Sequence, residues 1–417
     1  MKPYPKYKPS EIQWLGNIPE HWEVKKLKYV SSINDEVLPE NTDKNFRFDY
    51  VDIESVTEGK ILNPKDFSFA EAPSRARRIV VEGDVIVSTV RTYLKAIAQI
   101  KSISKPTIVS TGFAVIRSSK IVNKEFLNYL LRESTFIDSV MANSKGVSYP
   151  AISSQELKEI VLTIPPLPEQ TAIAQFLDQK TAQIDTLIAQ KQRLISLLKE
   201  ERMAFINEIL SDESFPLKKL KYVTKGVQTG STPPSDKSEY FNGNFDWFTP
   251  SDFKYDLILR NSKRKITDLA ITHGLVKVYE PHSVLMIGIG ATLGKIGLIE
   301  KEASSNQQVN CITFTDEINP YFGAHFLNSI SQDIVSMANA ATLAILNQSQ
   351  TKDIKIPCPS LEIQQKIVES IETTTGKIDA TLAKVVQEIE LLKEYRVALI
   401  SEVVTGKVSV NSKQFRH

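Results

Sequence analysis

Apolar residues recur at intervals of three and four through two long stretches of the chain, which predicts helices that each bury one stripe. The first stripe runs through Ile173, Leu177, Ile184, Ile188, Ile195, Leu198, Phe205 and Ile209, the second through Ile367, Ile371, Ile378, Leu382, Ile389, Leu392, Leu399 and Val403. The two stretches are copies. Residues 164–210 and 358–404 align without a gap at an offset of 194, with 17 identities in 47 positions. Among these are Pro165/Pro359, Gln170/Gln364, Ile184/Ile378, Asp185/Asp379 and Leu197-Leu198-Lys199-Glu200 against Leu391-Leu392-Lys393-Glu394. Prolines precede each copy (Pro165, Pro166 and Pro168; Pro357 and Pro359), where they suit a helix start and not an interior. A helix from Glu169 to Leu210 would extend roughly 63 Å at about 1.5 Å per residue, far beyond an ordinary globular helix. Lys180 and Lys191 interrupt the first stripe, and Val385 stands in the second where Lys191 stands in the first. A stripe of this length needs a partner helix.

Shorter patterns fill the rest. RRIVVEGDVIVSTV (77–90) alternates around a Gly-Asp turn and reads as strands, as does FAVIRS (113–118), while residues 123–141 have helical periodicity behind a capping Asn123. In the second half VKVYEPHSVLMIGIGATLGKIGLIEK and VNCITFT are strand-like, and 319–337 is the matching helix. Lys25-Lys26-Leu27-Lys28-Tyr29-Val30 returns as Lys218-Lys219-Leu220-Lys221-Tyr222-Val223, and Phe126-Leu127-Asn128 as Phe326-Leu327-Asn328, so the duplication covers whole halves. Strands and helices mix without regular βαβ alternation, which predicts an α+β protein with pseudo-two-fold character. The expected segments are 1–163 globular, 164–211 helical, 212–357 globular, 358–408 helical, and a tail at 409–417.

Composition narrows the class. The 417 residues suffice for two or three domains with their own cores. No apolar run approaches the roughly 18 residues of a membrane span, and the N-terminus has no apolar signal core, so a cytoplasmic location away from membranes is expected. Cys311 and Cys358, far apart and outside any CxxC, argue for a reducing compartment and against structural zinc. The net charge is only +2, but residues 169–210 and 361–408 together hold 11 Lys/Arg against 14 Asp/Glu, which leaves about +5 for the remainder.

Catalytic motifs fail on inspection. GIGATLGK (288–295) lacks the first glycine and the hydroxyl of a phosphate loop, at Ile289 and Ile296, and close backbone approach in a strand accounts better for its glycines. Asn319-Pro320-Tyr321-Phe322 lacks the second proline of an amino-methyltransferase motif and suits a helix cap. The five histidines have no metal-ligand spacing, and no active site is expected. Binding chemistry remains. Arg75, Arg77 and Arg78 gather in a loop (EAPSRARR), followed by Arg91, Tyr93 and Lys95 in TVRTYLK. The second half has Arg260, Lys263, Arg264 and Lys265, then Lys295 and the amide run Asn306-Gln307-Gln308. Cations suit phosphates and guanine edges, and amides suit adenine edges. The clusters are expected to meet one polyanion, with strongly salt-dependent affinity. Tyr149, in GVSYPAIS, reads as packing beneath the helix start in preference to the alternative, a base-contacting aromatic.

WLGNIPEHWEVKKLKYV, IPPLPEQTAIAQFLDQKTAQID, VQTGSTPPSDKSEYFNGNFDWFTPSDF and IPCPSLEIQQKIVESIETTTGKID together resemble the DNA specificity subunit of type I restriction-modification systems, over nearly the whole chain. The second helix departs from the usual Pro-Pro-Leu-x-Glu-Gln start, with Pro359-Ser360-Leu361-Glu362-Ile363-Gln364. The resemblance implies two target recognition domains, 1–163 and 212–357, each reading half of a bipartite site on double-stranded DNA, with the two helices antiparallel as a spacer. It also implies two modification (methyltransferase) subunits that bind S-adenosylmethionine and restriction subunits that use ATP and Mg, with no cofactor in this chain. Exposed Gln175, Asp178, Gln183, Lys199 and Glu200 would either dock the modification subunits or form a merely solvated face. The rival reading is a non-catalytic scaffold whose helical hairpin joins other proteins.

Overall fold

The structure is a computed structural model that describes residues 2–10, 15–57, 59–101, 103–254, 256–338 and 344–410. Of the expected C-terminal tail, residues 411–417 therefore lie outside the described residues. The chain divides into two compact units, Met1–Lys191 with Gln387–His417, and Gln192–Val386. Each unit mixes helices with mainly antiparallel sheets, an α+β architecture. Among the described residues no helix is long and apolar enough to cross a membrane.

The sheets explain why the central strands read as unbroken apolar runs. The first unit has an antiparallel sheet in the order Ile97–Gln99, Val85–Ser88, Phe113–Ser118, Ser31–Ile33. Val85–Ser88 is buried at every position because both of its faces are covered: Val85 and Val87 join one core, and Ile86 joins another with Phe113 and Val109. The second unit repeats this order with Ile296–Ile299, Val284–Ile287, Val309–Phe314 and Thr224–Thr229, adding the short strand Ile258–Leu259 at one edge. There too the central strand separates two cores, Val284 and Met286 on one side and Leu285 and Ile287 on the other. A second sheet accompanies each and contains one parallel pair: Arg47–Val51 beside Thr107–Ser110 at the centre of four strands, and Phe241–Phe248 beside the edge strand Ser304–Ser305 in a sheet of three. The halves thus share topology as well as sequence.

Two helices of 44 residues, Leu167–Leu210 and Leu361–Val404, correspond to the two stripes. Within the first unit Asp185 accepts from Arg396 at 2.6 Å and Lys191 pairs with Glu388, so rising numbers on one helix meet falling numbers on the other. Within the second unit Arg202 pairs with Asp379 at 3.1 Å, and Ile206 and Leu210 share a core with Ile367 and Ile371. The helices are antiparallel in both units. Near its end the first stripe drifts: Ile206 and Leu210 are buried, whereas the expected Phe205 and Ile209 are half-buried. An α-helix of 3.6 residues per turn drifts in this way against a 3.5-residue repeat.

One duplicated side chain ties each helix start to its unit. Gln170, almost fully buried, donates through Nε2 to Pro165 O (2.8 Å) and Ile121 O (3.1 Å), and its Oε1 accepts from Asn123 N (2.8 Å). Gln364 makes the same three bonds, to Pro359 O (2.9 Å), Glu317 O (2.9 Å) and from Asn319 N (2.7 Å). Asn123 and Asn319 in turn cap the helices Lys124–Leu131 and Pro320–Ser329, so Asn319-Pro320-Tyr321-Phe322 is a cap, as its spacing suggests.

Other expectations change. The helix read over 123–141 breaks at Arg132 and Glu133, and the carboxylate of Glu133 caps a second helix, Ser134–Ala142. With the caps Asn123 and Asn319 equivalent, Phe126 matches Phe322, so the apparent match of Phe126-Leu127-Asn128 to Phe326-Leu327-Asn328 is one helical turn out of register. GIGATLGK is not a strand. Residues 288–295 form the loop between strands Val284–Ile287 and Ile296–Ile299, with Gly290 and Gly294 at φ +102° and +84°.

Candidate nucleic-acid interface

In the first unit, loops are tied in succession by backbone hydrogen bonds. Arg75 O accepts from Thr111 N (2.8 Å), Gly112 O from Thr89 N (2.8 Å), Thr89 O from Ile152 N (2.9 Å) and Pro150 O from Arg91 N (2.8 Å). This chain of bonds gathers Arg75, Arg91, Tyr93, Lys95 and Tyr149 on one loop surface, all five exposed. The Arg91 guanidinium lies 5.2 Å from the centre of the Tyr149 ring, a stacking that holds a flexible cation in one direction. Tyr149 is therefore not packed beneath the helix start; it is 66% exposed.

The second unit has the same frame. Gly288 N donates to Gln308 O (2.8 Å), Leu346 N to Gly288 O (2.8 Å) and Gly290 N to Ala344 O (3.2 Å). These bonds make Thr89 equivalent to Gly288, Gly112 to Gln308, Ile152 to Leu346, and Arg91 to Gly290. The hairpin loops have the same backbone hand: Arg91 and Lys95, both at φ +52°, stand where the second unit has Gly290 and Gly294. A left-handed conformation suits glycine and costs a non-glycine residue on the order of 1 kcal/mol, so two long cations there are an expense that packing does not explain.

The remaining cations divide into engaged and unengaged. Arg77 and Arg78 lie in a strand, Ala76–Ile79, and not in a loop as expected, because this segment pairs with Thr107–Ser110. Arg77 donates to Ala76 O (2.9 Å) and covers the Phe69 ring. The half-buried Arg78 has no partner for its Nε among the described residues, and burial lowers the pKa of its guanidinium, so a bound anion would relieve an uncompensated cation. In the second unit Arg264 lies over the adjoining rings of Phe241 (5.2 Å) and Trp247 (5.0 Å), Lys265 pairs with Asp246 (3.3 Å), and Arg260 faces Glu300 (4.0 Å). Lys263 is exposed, and Lys295 donates to Phe253 O (3.3 Å) from an exposed position.

The amide run does two jobs. Asn306 is buried and closes its own turn, donating to Gln308 Oε1 (2.9 Å) and accepting from Gln308 N (3.1 Å). Gln307 is exposed and meets Thr232, and with Gln308, Thr229, Asn347 and Gln348 it lines a hollow of about 460 Å³. Asn347 and Gln348 are absent from the sequence-derived candidates; the capping-box spacing Asn347 to Gln350 marks a helix start, and only the fold brings that start to the amide turn. A hollow of about 780 Å³ in the first unit is lined by Asp49, Lys101, Arg132, Asp178, Asp185 and Arg396, a mixture of signs unsuited to a polyanion.

Comparison with known proteins follows the duplication. The family model described as the type I restriction modification DNA specificity domain matches residues 19–196 and again 214–391. The chain is similar to the specificity subunit of the Escherichia coli type I restriction enzyme EcoR124I/EcoR124II, 27% identical over a stretch covering 60% of this chain and 65% of that one. It is also similar to the specificity subunit of the type I restriction enzyme MjaIX of Methanocaldococcus jannaschii, 24% identical with 95% of each chain covered. In fold it resembles a chain from a type I R-M system studied for its assembly and conformational transition (TM-score 0.80, 24% identity, 94% of this chain and 99% of that chain). It also resembles the HsdS subunit of Thermoanaerobacter tengcongensis (TM-score 0.62, 23% identity, 94% and 98%).

Proposed function

The chain belongs to the type I restriction-modification DNA specificity family, and from this we propose that each unit reads one half of a bipartite double-stranded DNA target while partner subunits perform the chemistry. The observation that supports this reading is the loop frame built once in each unit, which offers exposed cations and an aromatic ring in the first and amides in the second. Cations hold phosphates and guanine edges, and amides hold adenine edges. The chain itself is not an enzyme in this reading and carries no cofactor. Two modification subunits supply S-adenosylmethionine and methylate the target, and restriction subunits supply ATP- and Mg-dependent cleavage, all in the cytoplasm beside the chromosome. The exposed helix residues Gln175, Gln183, Lys199 and Glu200 dock the modification subunits; Asp178 is committed in part to the Tyr129 hydroxyl at 2.7 Å. The paired helices set the number of unread base pairs between the half-sites. Methylated adenines mapped in cells with the chain and its modification subunit, and again without the chain, test the reading. A bipartite motif methylated only when the chain is present is expected, and methylation independent of the chain would overturn it.

A further inference from the structure

Once the two loop frames are superposed by their hydrogen bonds, large and small residues change places. In the first unit the hairpin loop carries Arg91 and the neighbouring turn carries Gly112, linked by Gly112 O and Thr89 N at 2.8 Å. In the second unit the hairpin loop carries Gly290 and the turn carries Gln308, linked by the equivalent bond from Gly288 N to Gln308 O at 2.8 Å. A Cβ on Gly290 would lie 3.9 Å from the Gln308 amide nitrogen, an ordinary contact distance, so the turn's side chain reaches the place that the hairpin residue faces. A Cβ on Gly112 would press on Ile53 at 3.1 Å and on Val90, in the hairpin loop, at 3.3 Å, so that turn is tight. The two frames thus deliver a long polar side chain from different places, the hairpin in one unit and the turn in the other.

Both side chains are aimed and incompletely used. Arg91 keeps a left-handed backbone that the second unit gives to glycine, and its guanidinium is steadied on Tyr149 with its edge left for another partner. The Gln308 oxygen is fixed by Asn306 at 2.9 Å, which orients the amide nitrogen towards the open side of Gly290 and the hollow. A guanidinium edge presents two parallel donors, which matches the two acceptors of guanine in the major groove. The Gln308 oxygen keeps a second lone pair beside the Asn306 bond, so the amide still presents one donor and one acceptor, which matches adenine. We propose that Arg91 and Gln308 read bases from different positions of the same loop frame, Arg91 contacting a guanine in one half-site and Gln308 an adenine in the other. The asymmetry of the target then arises from where a shared frame places its base-reading side chain. This inference rests on the DNA-reading function proposed above.

The test uses the full chain assembled with its modification subunits. Methylated motifs are mapped for the wild type, Arg91→Gly, Arg91→Lys and Gln308→Gly. Arg91→Gly adopts the backbone that the second unit already has, so its thermal midpoint should equal or exceed that of the wild type. Its discrimination at one guanine of one half-site should nevertheless fall by about tenfold or more. Arg91→Lys, which keeps the charge and loses the fork, should show the same loss, and Gln308→Gly should relax one adenine in the other half-site only. Binding of the unmutated complex to duplexes carrying 7-deazaguanine or 7-deazaadenine at single positions removes the acceptor without touching the fold, and should weaken at one position in each half-site. Unchanged motifs with no sensitive 7-deaza position, or relaxation in both half-sites from one substitution, overturn the inference. A wild-type complex that methylates no bipartite motif overturns the functional reading instead.

Discussion

Gln170 and Gln364 show what a single residue can do in this chain. Each joins three backbone groups, and each is buried. Gln170→Ala would strand the Asn123 N–H and weaken the anchoring of two carbonyls, for an expected loss of about 3 kcal/mol at roughly 1 kcal/mol per bond plus the penalty of an unpaired buried donor. Urea unfolding measures this, and a loss under about 1 kcal/mol would show that water replaces the side chain without strain. The alignment of the two halves marks these glutamines as a pair, but their partners are main-chain atoms, which leave no trace in sequence. His325 is a second residue whose role is visible only in the fold. Burial, with the nearby charge of Arg202, holds its pKa down to about 4, from an ordinary 6.5. Below pH 6.5 the unfolded chain takes up a proton that the folded chain refuses until about pH 4, so stability falls as pH drops through that window, by on the order of 1 kcal/mol per unit at most. A His325→Gln variant should lose less of its stability than the wild type between pH 7 and pH 4.5, in melting experiments run in parallel. Equal losses would place the titration elsewhere.

At the level of elements, the long helices were legible because a three-and-four spacing sustained over 44 residues has no competing interpretation. Shorter elements were less so. The central strands could be read because both faces are covered, whereas the break at Arg132 and Glu133 depends on a carboxylate turning back to cap the next helix, a choice that periodicity does not encode. The left-handed backbone of the hairpin loop is legible in neither half: Gly290 and Gly294 suit close approach in a strand as well as a loop, and Arg91 and Lys95 conceal it. The helical stripe itself supports a comparison. Lys191 pairs with Glu388 at a position where the other copy buries Val385. A partly exposed ion pair contributes at most about 1 kcal/mol, whereas truncating a buried isoleucine costs about 2–5 kcal/mol. Lys191→Val should therefore change stability by less than about 1 kcal/mol in either direction, and Ile378→Ala should destabilise by at least twice that in urea titrations. The reverse order would mean that charge pairing, and not the apolar stripe, holds the helices together.

For the whole molecule, the consequential fact is that each long helix begins in one unit and ends in the other without a break. Length added to both helices in phase should then appear as a change in the DNA target and not in the bases read, because the loop frames lie outside the helices. The phase matters. A seven-residue insertion turns the helix through about 700°, which returns the apolar stripe to within roughly 20° of its original direction and adds about 10.5 Å. A four-residue insertion turns it through about 400° and leaves the stripe some 40° out of line. One heptad placed between Ile184 and Ile195, with a second in the matching stretch of the other helix, should lengthen the unread spacer by about three base pairs, at about 3.4 Å each, while both half-sites keep their sequence. The methylated motif of cells carrying the variant reads this directly. A single insertion in one helix should instead misalign the two stripes and lower stability before it changes the motif. An in-phase double insertion that folds, methylates and leaves the spacer unchanged would show that the helices do not set the distance.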